Sequence, residues 1–476
     1  MSLTDTLEMY EISKSTKPES TIVALSTPPG EGGIGIVRLS GEQAKSIAAS
    51  ISLPKSLKTF NSAKSRRIYY GHIHDPEKQE LVDEVLLVWM KAPTTYTGED
   101  IVEIQAHGGM QPLRRIITLC MQKGALLAEP GEFTKRAFLN GRLDLTQAEA
   151  VMDLIQANSQ AAADQALKQL QGHLGRSIGE ASKALLSLQA SIEAYIDFSE
   201  DLPDLDYQGW SLTLKEIRAD LQKLLSTAHQ GKILRQGIAT AIIGLPNVGK
   251  SSLLNALLGE DRAIVSEYAG TTRDILEEQY SIDGVALRLS DSAGIRDDSL
   301  DPIEQMGIAR SQKALAEAEL ILWVIDQNQP LSATERDLSL DLQDKHLIVV
   351  LNKNDLAIEL DLVELKNLLP EGTPFVSLTA TTGENLNELH VALSNVLKDY
   401  TQVGESAMLT RERHIAAVQL AVDYLHEVER GLEQGYAIDI VAIDLRSAWV
   451  ALAELTGQVS SGDIIEAIFR DFCLGK

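Results

Sequence analysis

Gly244-Leu245-Pro246-Asn247-Val248-Gly249-Lys250-Ser251 decides how this chain is read. Ile238-Ala239-Thr240-Ala241-Ile242-Ile243 precedes it, an apolar run of the kind that forms a buried strand. A helical pattern opens over 252–258. This is G-x-x-x-x-G-K-S in its strand–loop–helix setting. Glycines let backbone N–H groups close around phosphate oxygens, and the helix N-terminus adds positive potential. Lys250 is expected to act on the β- and γ-phosphates as a catalytic cation, and Ser251 to ligate Mg²⁺. The nucleotide contacts expected here are Asn247, Val248, Gly249, Lys250, Ser251 and Ser252.

Further motifs follow in order. Asp291-Ser292-Ala293-Gly294 closes a strand pattern at 286–289 and offers a carboxylate for the Mg²⁺ shell and a glycine N–H for the γ-phosphate. Asn352-Lys353-Asn354-Asp355 closes a strand pattern at 347–351. An Asp carboxylate there accepts both N1–H and the 2-amino group of guanine. Adenine lacks that donor pair, so the motif selects GTP over ATP. Thr379-Ala380-Thr381 follows 374–378 and resembles the short loop that contacts the guanine O6. Between the first two motifs lies Gly270-Thr271-Thr272-Arg273-Asp274, where a threonine hydroxyl can complete the Mg²⁺ shell and sense the γ-phosphate, as switch I does. An isolated N-K-x-D is a common polar turn. The full set in order, each motif after a strand, is the pattern of a Ras-like α/β G domain.

One position departs from the usual pattern. Many GTPases carry Gln directly after D-x-x-G to orient the attacking water. Ile295 stands there and cannot hydrogen-bond, so another group must orient the water. The acidic stretch 297–304 can supply a carboxylate, and a helical pattern follows over 302–317.

Outward from this segment, 476 residues exceed what a single core holds, so two or three domains are expected. Alternating strand and helix patterns over 21–131 predict a compact α+β domain: strands at 21–25, 34–39, 81–90 and 101–106, helices at 43–51 and 112–123. From 147 to 198 the composition shifts to Ala, Gln and Leu without Pro. Leu167, Leu170, Leu174, Ile178, Ala181, Leu185, Leu188 and Ile192 step by three or four, one apolar stripe down a long helix. Helical pattern resumes over 212–229, 410–431 and 444–455, on both sides of the nucleotide segment. The economical architecture is multidomain: a tail at 1–20, an α+β domain at 21–136, an α-helical bundle domain at 137–234 and 401–476, and the G domain at 235–400 inserted into it.

Net charge is −25, which repels phosphate backbones, so a nucleic-acid partner is held by a small basic patch or through another protein. No apolar run of about 18 residues is present, and nothing is expected to span a membrane. The polar first 20 residues carry Asp5, Glu8 and Glu11, unlike a secretory or transit peptide. Two cysteines make no disulfide framework, and a reducing cytoplasm is the simplest location.

Cys473 lies four residues from the end, but Gly475-Lys476 does not fit a prenylation signal. Physics alone favours a buried Cys near a helix end; the alternative is a thiol in a flexible tail near a site. Pro28-Pro29-Gly30-Glu31-Gly32-Gly33 precedes a strand bearing Arg38 and reads as a loop with a solvated Arg, or as a backbone approached by a ligand. Glu103 and Arg142 are candidates of the same kind.

These residues together resemble a known family. The P-P-G-E-G-G-I-G-I-V-R loop, Tyr96-Thr97-Gly98-Glu99-Asp100, Gly131-Glu132-Phe133-Thr134-Lys135-Arg136-Ala137-Phe138-Leu139-Asn140-Gly141, the inserted G domain and the terminal Cys-Leu-Gly-Lys are similar to the MnmE (TrmE) family of tRNA uridine-modification GTPases. The resemblance runs from about Thr21 to Lys476. Leu474 departs from the family's usual Ile.

The resemblance implies a homodimer formed through the N-terminal domain, which binds 5-formyl- or methylene-tetrahydrofolate through Arg38, Glu103, Arg142 and Lys476, with a catalytic Cys473 nearby. It implies a heterotetramer with an MnmG-like FAD- and NADH-dependent partner, which carries most of the tRNA grip. The complex adds a carboxymethylaminomethyl or aminomethyl group to C5 of the wobble uridine. It implies K⁺-dependent pairing of G domains, with Asn247, Ser266, Tyr268 and Thr271 around K⁺ and Thr272 on Mg²⁺. Glu267, Ala269 and Gly270 join the nucleotide contacts, and Glu304 is the carboxylate that activates water. The rival function is a regulatory or ribosome-assembly GTPase without modification chemistry. The G domain alone does not separate the two; the N-terminal block and Cys473 do.

Overall fold

A computed structural model describes residues 20–198, 207–259, 278–291, 315–316, 318–342, 345–401, 407–459, 462–470, 472–473 and 475. The chain divides into two compact units. One takes in Met1–Met152, Gln169–Leu221 and Ala416–Lys476; the other takes in Asp153–Lys168 and Gln222–Ile415. The fold class expected from the sequence is the one found, with an α+β part, a helical part and an α/β part.

The first unit carries a seven-stranded sheet. Its strands are β1 (Ile22–Leu25), β2 (Ile34–Ser40), β3 (Ser52–Pro54), β4 (Ile68–Asp75), β5 (Glu80–Met90), β6 (Ile101–His107) and β7 (Leu126–Leu127), in the order β3-β4-β5-β6-β2-β1-β7. All pairings are antiparallel except β1 with β7. The inward residues alternate along the strands, as a half-buried sheet requires. Val37, Leu39, Leu87, Val102 and Ile104 meet Ile47 and Ile51 of the helix Ala44–Ile51 and Leu113 and Ile116 of the helix Met110–Gln122. Phe133, on the helix Glu132–Leu139, packs instead with Ile22, Ala24 and Ala128.

The helical segment of this chain corrects one expectation. The stripe expected along one long helix, Leu167 to Ile192, is divided between two, Gln160–Leu170 and His173–Phe198, and the segment 147–198 also takes in most of Leu145–Ile155. The chain turns at Gly172, whose φ is +82°. The expected stripe is buried from Leu174 through Ile178, Ala181, Leu185, Leu188 and Ile192, whereas Leu167 is 44% exposed. His173–Phe198 packs along Ile438–Thr456 in the same unit.

The second unit holds a six-stranded sheet: β8 (Ile238–Ile243), β9 (Glu278–Ile282), β10 (Val285–Asp291), β11 (Leu320–Asp326), β12 (His346–Asn352) and β13 (Phe375–Ser377), ordered β13-β12-β11-β8-β10-β9. Only the β9–β10 hairpin is antiparallel. β11 is buried at every residue. That is why Leu320-Ile321-Leu322-Trp323-Val324-Ile325 is continuously apolar: a parallel strand covered on both faces has no polar side. Leu322 and Val324 face Leu253, Leu257, Leu389 and Leu393; Ile321, Trp323 and Ile325 face Leu342, Leu365 and Leu369. β8 has β10 on one side and β11 on the other, so its carboxyl end is a topological switch point, where ligands of open α/β sheets bind.

Candidate functional site

The loop after β8 ends at Gly249, which has φ +101° and directly precedes the helix Lys250–Leu258. A side chain at 249 is excluded twice, by the left-handed backbone and by Asn352, whose Nδ2 would lie 2.1 Å from a Cβ there. The close approach has a purpose. Asn352 Nδ2 donates to the Val248 carbonyl at 2.7 Å, and its Oδ1 accepts from the Ala380 N–H at 2.9 Å. Asn352 is 3% exposed and so binds the phosphate loop, the 352–355 loop and the 379–381 loop into one piece. The sequence marks Asn352 as a nucleotide contact; its bridging role emerges only from the fold.

Lys250 is buried and its Nζ donates to the carbonyls of Gly244 at 3.0 Å and Leu245 at 2.9 Å. A buried ammonium requires such acceptors. These two acceptors are neutral carbonyls, and they orient the ammonium at the phosphate loop. Asn247 and Ser251 are exposed at the same loop, Val248 is buried beneath it, and Ser252 is half-buried. Asn247 has φ +64°. Asp291 ends β10 with its backbone paired to Ile242 of β8, beside the start of the phosphate loop.

The base-recognition motif follows β12. Lys353 has φ +65°, and its Nζ lies 2.6 Å from Asp326 Oδ2. The Asn354 N–H donates to Leu378 O at 3.2 Å, and Asp355 is exposed. Thr379 and Ala380 are buried and Thr381 is exposed. If Asp355 reads the guanine edge, Asp355→Asn shifts preference from GTP toward xanthosine triphosphate, because the amide donates to the O2 that replaces the 2-amino group. Competitive nucleotide binding checks this, and wild-type hydrolysis of ATP as fast as GTP would overturn the assignment.

Ser266, Glu267, Tyr268, Ala269, Gly270, Thr271, Thr272, Ser292, Ala293, Gly294, Glu304 and Lys476 lie outside the described residues. The helix expected over 302–317 falls there too, apart from 315 and 316.

In the first unit, Arg38 and Glu103 are register partners across β2 and β6. The guanidinium reaches Glu103 Oε1 through Nη2 at 2.9 Å and Nε at 3.1 Å, and lies over the Phe133 ring at 5.9 Å. Arg142 lies over the Tyr96 ring at 5.0 Å and donates to the Tyr96 carbonyl. Burial pushes the Tyr96 phenol up; its hydrogen bond to Thr134 and the charges of Arg142 and Arg38 act in the opposite sense. Arg38, Glu103 and Arg142 therefore gather around Tyr96 and the helix Glu132–Leu139. A cavity of about 490 Å³ opens beside Arg142, lined also by Asn140, Asp144, Gln147 and Gln458.

The C-terminal tail corrects a second expectation. Cys473 is exposed; the buried cysteine is Cys120, whose thiol burial pushes up to about 12. Nor is the tail free where it is described. The Gly131 N–H donates to the Cys473 carbonyl at 3.3 Å, and Ser26 Oγ donates to the Gly475 carbonyl at 3.3 Å. Gly475 has φ +85°, and a Cβ there would lie 2.0 Å from the Leu25 carbonyl. The tail thus sits on the end of β1 and at the start of the helix that carries Phe133.

The profile described as MnmE helical domain matches residues 145–473, and that described as GTP-binding protein TrmE N-terminus matches 21–142. The tRNA modification GTPase MnmE of Alkaliphilus oremlandii is 46% identical over 465 residues, covering 96% of this chain and 99% of that protein. Its namesake from Listeria welshimeri is 45% identical over 459 residues, covering 96% and 99%. A structure of Aquifex aeolicus Era bound to GDP and aluminium fluoride is 30% identical, covering 39% of this chain and 65% of that chain, with a TM-score of 0.28. No helix among the described residues is long and apolar enough to cross a membrane.

Proposed function

The chain belongs to the MnmE family of tRNA modification GTPases, and from that membership we propose that it works with a flavin-dependent, MnmG-like partner to add a carboxymethylaminomethyl or aminomethyl group to C5 of the wobble uridine. The supporting observation is that one chain joins a nucleotide site to a second, separate set of reactive groups. Arg142 lies over Tyr96, Arg38 pairs with Glu103 and lies over Phe133 of the helix Glu132–Leu139, and the carbonyl of the exposed Cys473 accepts from Gly131 at the start of that helix. A regulatory GTPase without modification chemistry has no use for that second set. Mass spectrometry of tRNA nucleosides from a deletion strain tests the proposal: the C5 modification at the wobble position disappears, and its persistence would overturn the function.

The groups at the second set suit a folate. Glu103 is an acceptor for ring N–H groups, and the guanidinium groups of Arg38 and Arg142, with Lys476, complement carboxylates. A tetrahydrofolate derivative would supply the one-carbon unit. Homodimerisation through this unit is supported by Ile34, Leu53, Ile68, Tyr70 and Leu81, large apolar side chains left exposed on its strands. Residues 21–136 form the dimerising domain in this proposal, with the helical domain at 137–234 and 401–476 and the G domain at 235–400. Two free cysteines suit a cytoplasmic location.

In the hydrolytic step, Lys250 would hold the β- and γ-phosphates, Ser251 and Thr272 would hold Mg²⁺ with help from the Asp291 carboxylate, the metal neutralising phosphate charge, and Glu304 would orient the attacking water. Asn247, Ser266, Tyr268 and Thr271 would hold a K⁺ ion where G domains pair. A monovalent cation there would neutralise charge developing on the phosphates, the service an arginine finger gives elsewhere. The exposed amide of Asn247 on the phosphate loop is a fitting ligand. GTP hydrolysis should accordingly be fast in K⁺ and slow in Na⁺ at equal ionic strength. Steady-state rates in the two salts decide this, and equal rates would remove the K⁺ site.

A further inference from the structure

Two residues of the second unit that the nucleotide motifs do not include, Asp326 and Gln327, hold the 352–355 loop. β11 and β12 are parallel, and their register sets Asp326 beside Asn352. Each strand ends there, so the residues that follow meet side by side. Asp326 is 7% exposed, and its two carboxylate oxygens are both used: Oδ2 on Lys353 Nζ at 2.6 Å, Oδ1 on the Asn328 N–H at 3.0 Å. Gln327 is 1% exposed; its Nε2 donates to Asn354 Oδ1 at 3.1 Å and its N–H to Asn352 O at 3.2 Å. The Gln327 carbonyl accepts from Glu359 and Leu360, at 2.9 and 3.2 Å. Asn328 Nδ2 donates to Ala357 O at 2.7 Å.

The arrangement alternates along the motif. Asn352 is tied to the phosphate loop, Lys353 to Asp326 and Asn354 to Gln327, which leaves Asp355 alone exposed and presented outward. Lys353 adopts a left-handed backbone, at φ +65°, that non-glycine residues rarely take up. A buried carboxylate on its ammonium is a means of holding it there. A loop that reads two donors of a base with one carboxylate depends on where its backbone is fixed, and about 1 Å of misplacement is enough to lose such a pair.

We propose that Asp326 and Gln327 are positioning residues for guanine selectivity, acting through Lys353 and Asn354 without touching the nucleotide. This rests on the assignment of 352–355 as the base-recognition loop. The test measures affinities for GDP and inosine diphosphate, which lacks the 2-amino group, with the full-length protein and its Asp326→Asn, Gln327→Leu and Asp355→Asn variants. Asp326→Asn keeps the shape and removes the charge; Gln327→Leu keeps the volume and removes the donor. Each is expected to weaken GDP by about tenfold while inosine diphosphate weakens less, so that the preference for guanine contracts. KM for GTP rises while kcat at saturation stays within a few-fold.

Gln327→Leu combined with Asn354→Ala should cost no more than either alone, since both remove one contact. Full guanine preference in both positioning variants, with Asp355→Asn shifted as expected, would overturn the proposal and leave the loop assignment standing. Equal losses for GDP and inosine diphosphate with a lowered Tm would overturn it in favour of a purely structural role. An Asp355→Asn protein that still prefers GDP would instead overturn the loop assignment on which the proposal rests.

Discussion

Glu304→Ala should lower kcat for GTP hydrolysis by about 10²–10⁴, the usual worth of a general base, with GTP affinity barely changed. The position after D-x-x-G is Ile295, which offers the attacking water nothing. Some other polar group must reach the in-line water. Glu304 follows the polar stretch 296–301 and stands near the start of a helical pattern, where a carboxylate can be drawn to the γ-phosphate as G domains pair. It lies outside the described residues, so the expectation is carried by sequence and by family resemblance. The competing role is an N-terminal helix carboxylate that complements the helix dipole, worth about 0.3–1 kcal/mol of stability and nothing in the chemical step. That role predicts a near-normal kcat. Single-turnover hydrolysis in saturating K⁺, with nucleotide affinity measured separately, discriminates between them. A rate within a few-fold of wild type would remove Glu304 from the hydrolytic machinery.

The phosphate loop was legible because its chemistry fixes residue types at fixed spacing. No tertiary contact is needed to see that Gly249 and Lys250 follow a buried strand. β11 was harder: Leu320 to Ile325 is apolar throughout, and such a run is a strand only once both faces of a sheet are known to be covered. The single long helix expected under the stripe from Leu167 to Ile192 failed for a definite reason. Leu170 and Leu174 keep the helical step across Gly172, so the apolar phase survives a break that the periodicity does not register. β4 escaped because Ile68-Tyr69-Tyr70-Gly71-His72-Ile73-His74 interrupts its apolar residues with a glycine and two histidines. Asp326 escaped for another reason. Its partner Lys353 is 27 residues away, and only the parallel register of β11 and β12 brings them together. Cys473 was misjudged because burial is the common fate of a lone cysteine, and the tail's course is set by Gly475, whose left-handed turn has no signature beyond the glycine itself.

Cys473→Ser should abolish tRNA modification while GTP hydrolysis stays within a few-fold of wild type, and Gly475→Val should do the same with the thiol intact. The paired expectation follows from how the tail is held. Cys473 is exposed, so its sulfur contributes little to the core, and serine fills the same space. A thiol serving the reaction loses its nucleophilicity in serine, because a hydroxyl oxygen is a much weaker nucleophile than sulfur. Gly475 contributes no functional group at all. It contributes a left-handed backbone at φ +85° and a gap: a Cβ there would meet the Leu25 carbonyl at 2.0 Å. Valine is β-branched and is a genuine outlier at positive φ, so the tail must leave β1 and carry Cys473 away from the helix Glu132–Leu139. Neither change touches the phosphate loop or the 352–355 loop, which belong to the other unit. Nucleoside mass spectrometry and GTPase assays on the two variants, with thermal melts of each, give three readings. Loss of modification with hydrolysis and Tm retained in both variants places the thiol in the chemistry and the glycine in its delivery. Normal modification in Cys473→Ser with loss in Gly475→Val would assign the tail's backbone, not its sulfur, to the reaction. Loss of modification and hydrolysis together, with a lowered Tm, would make Cys473 a residue of the fold.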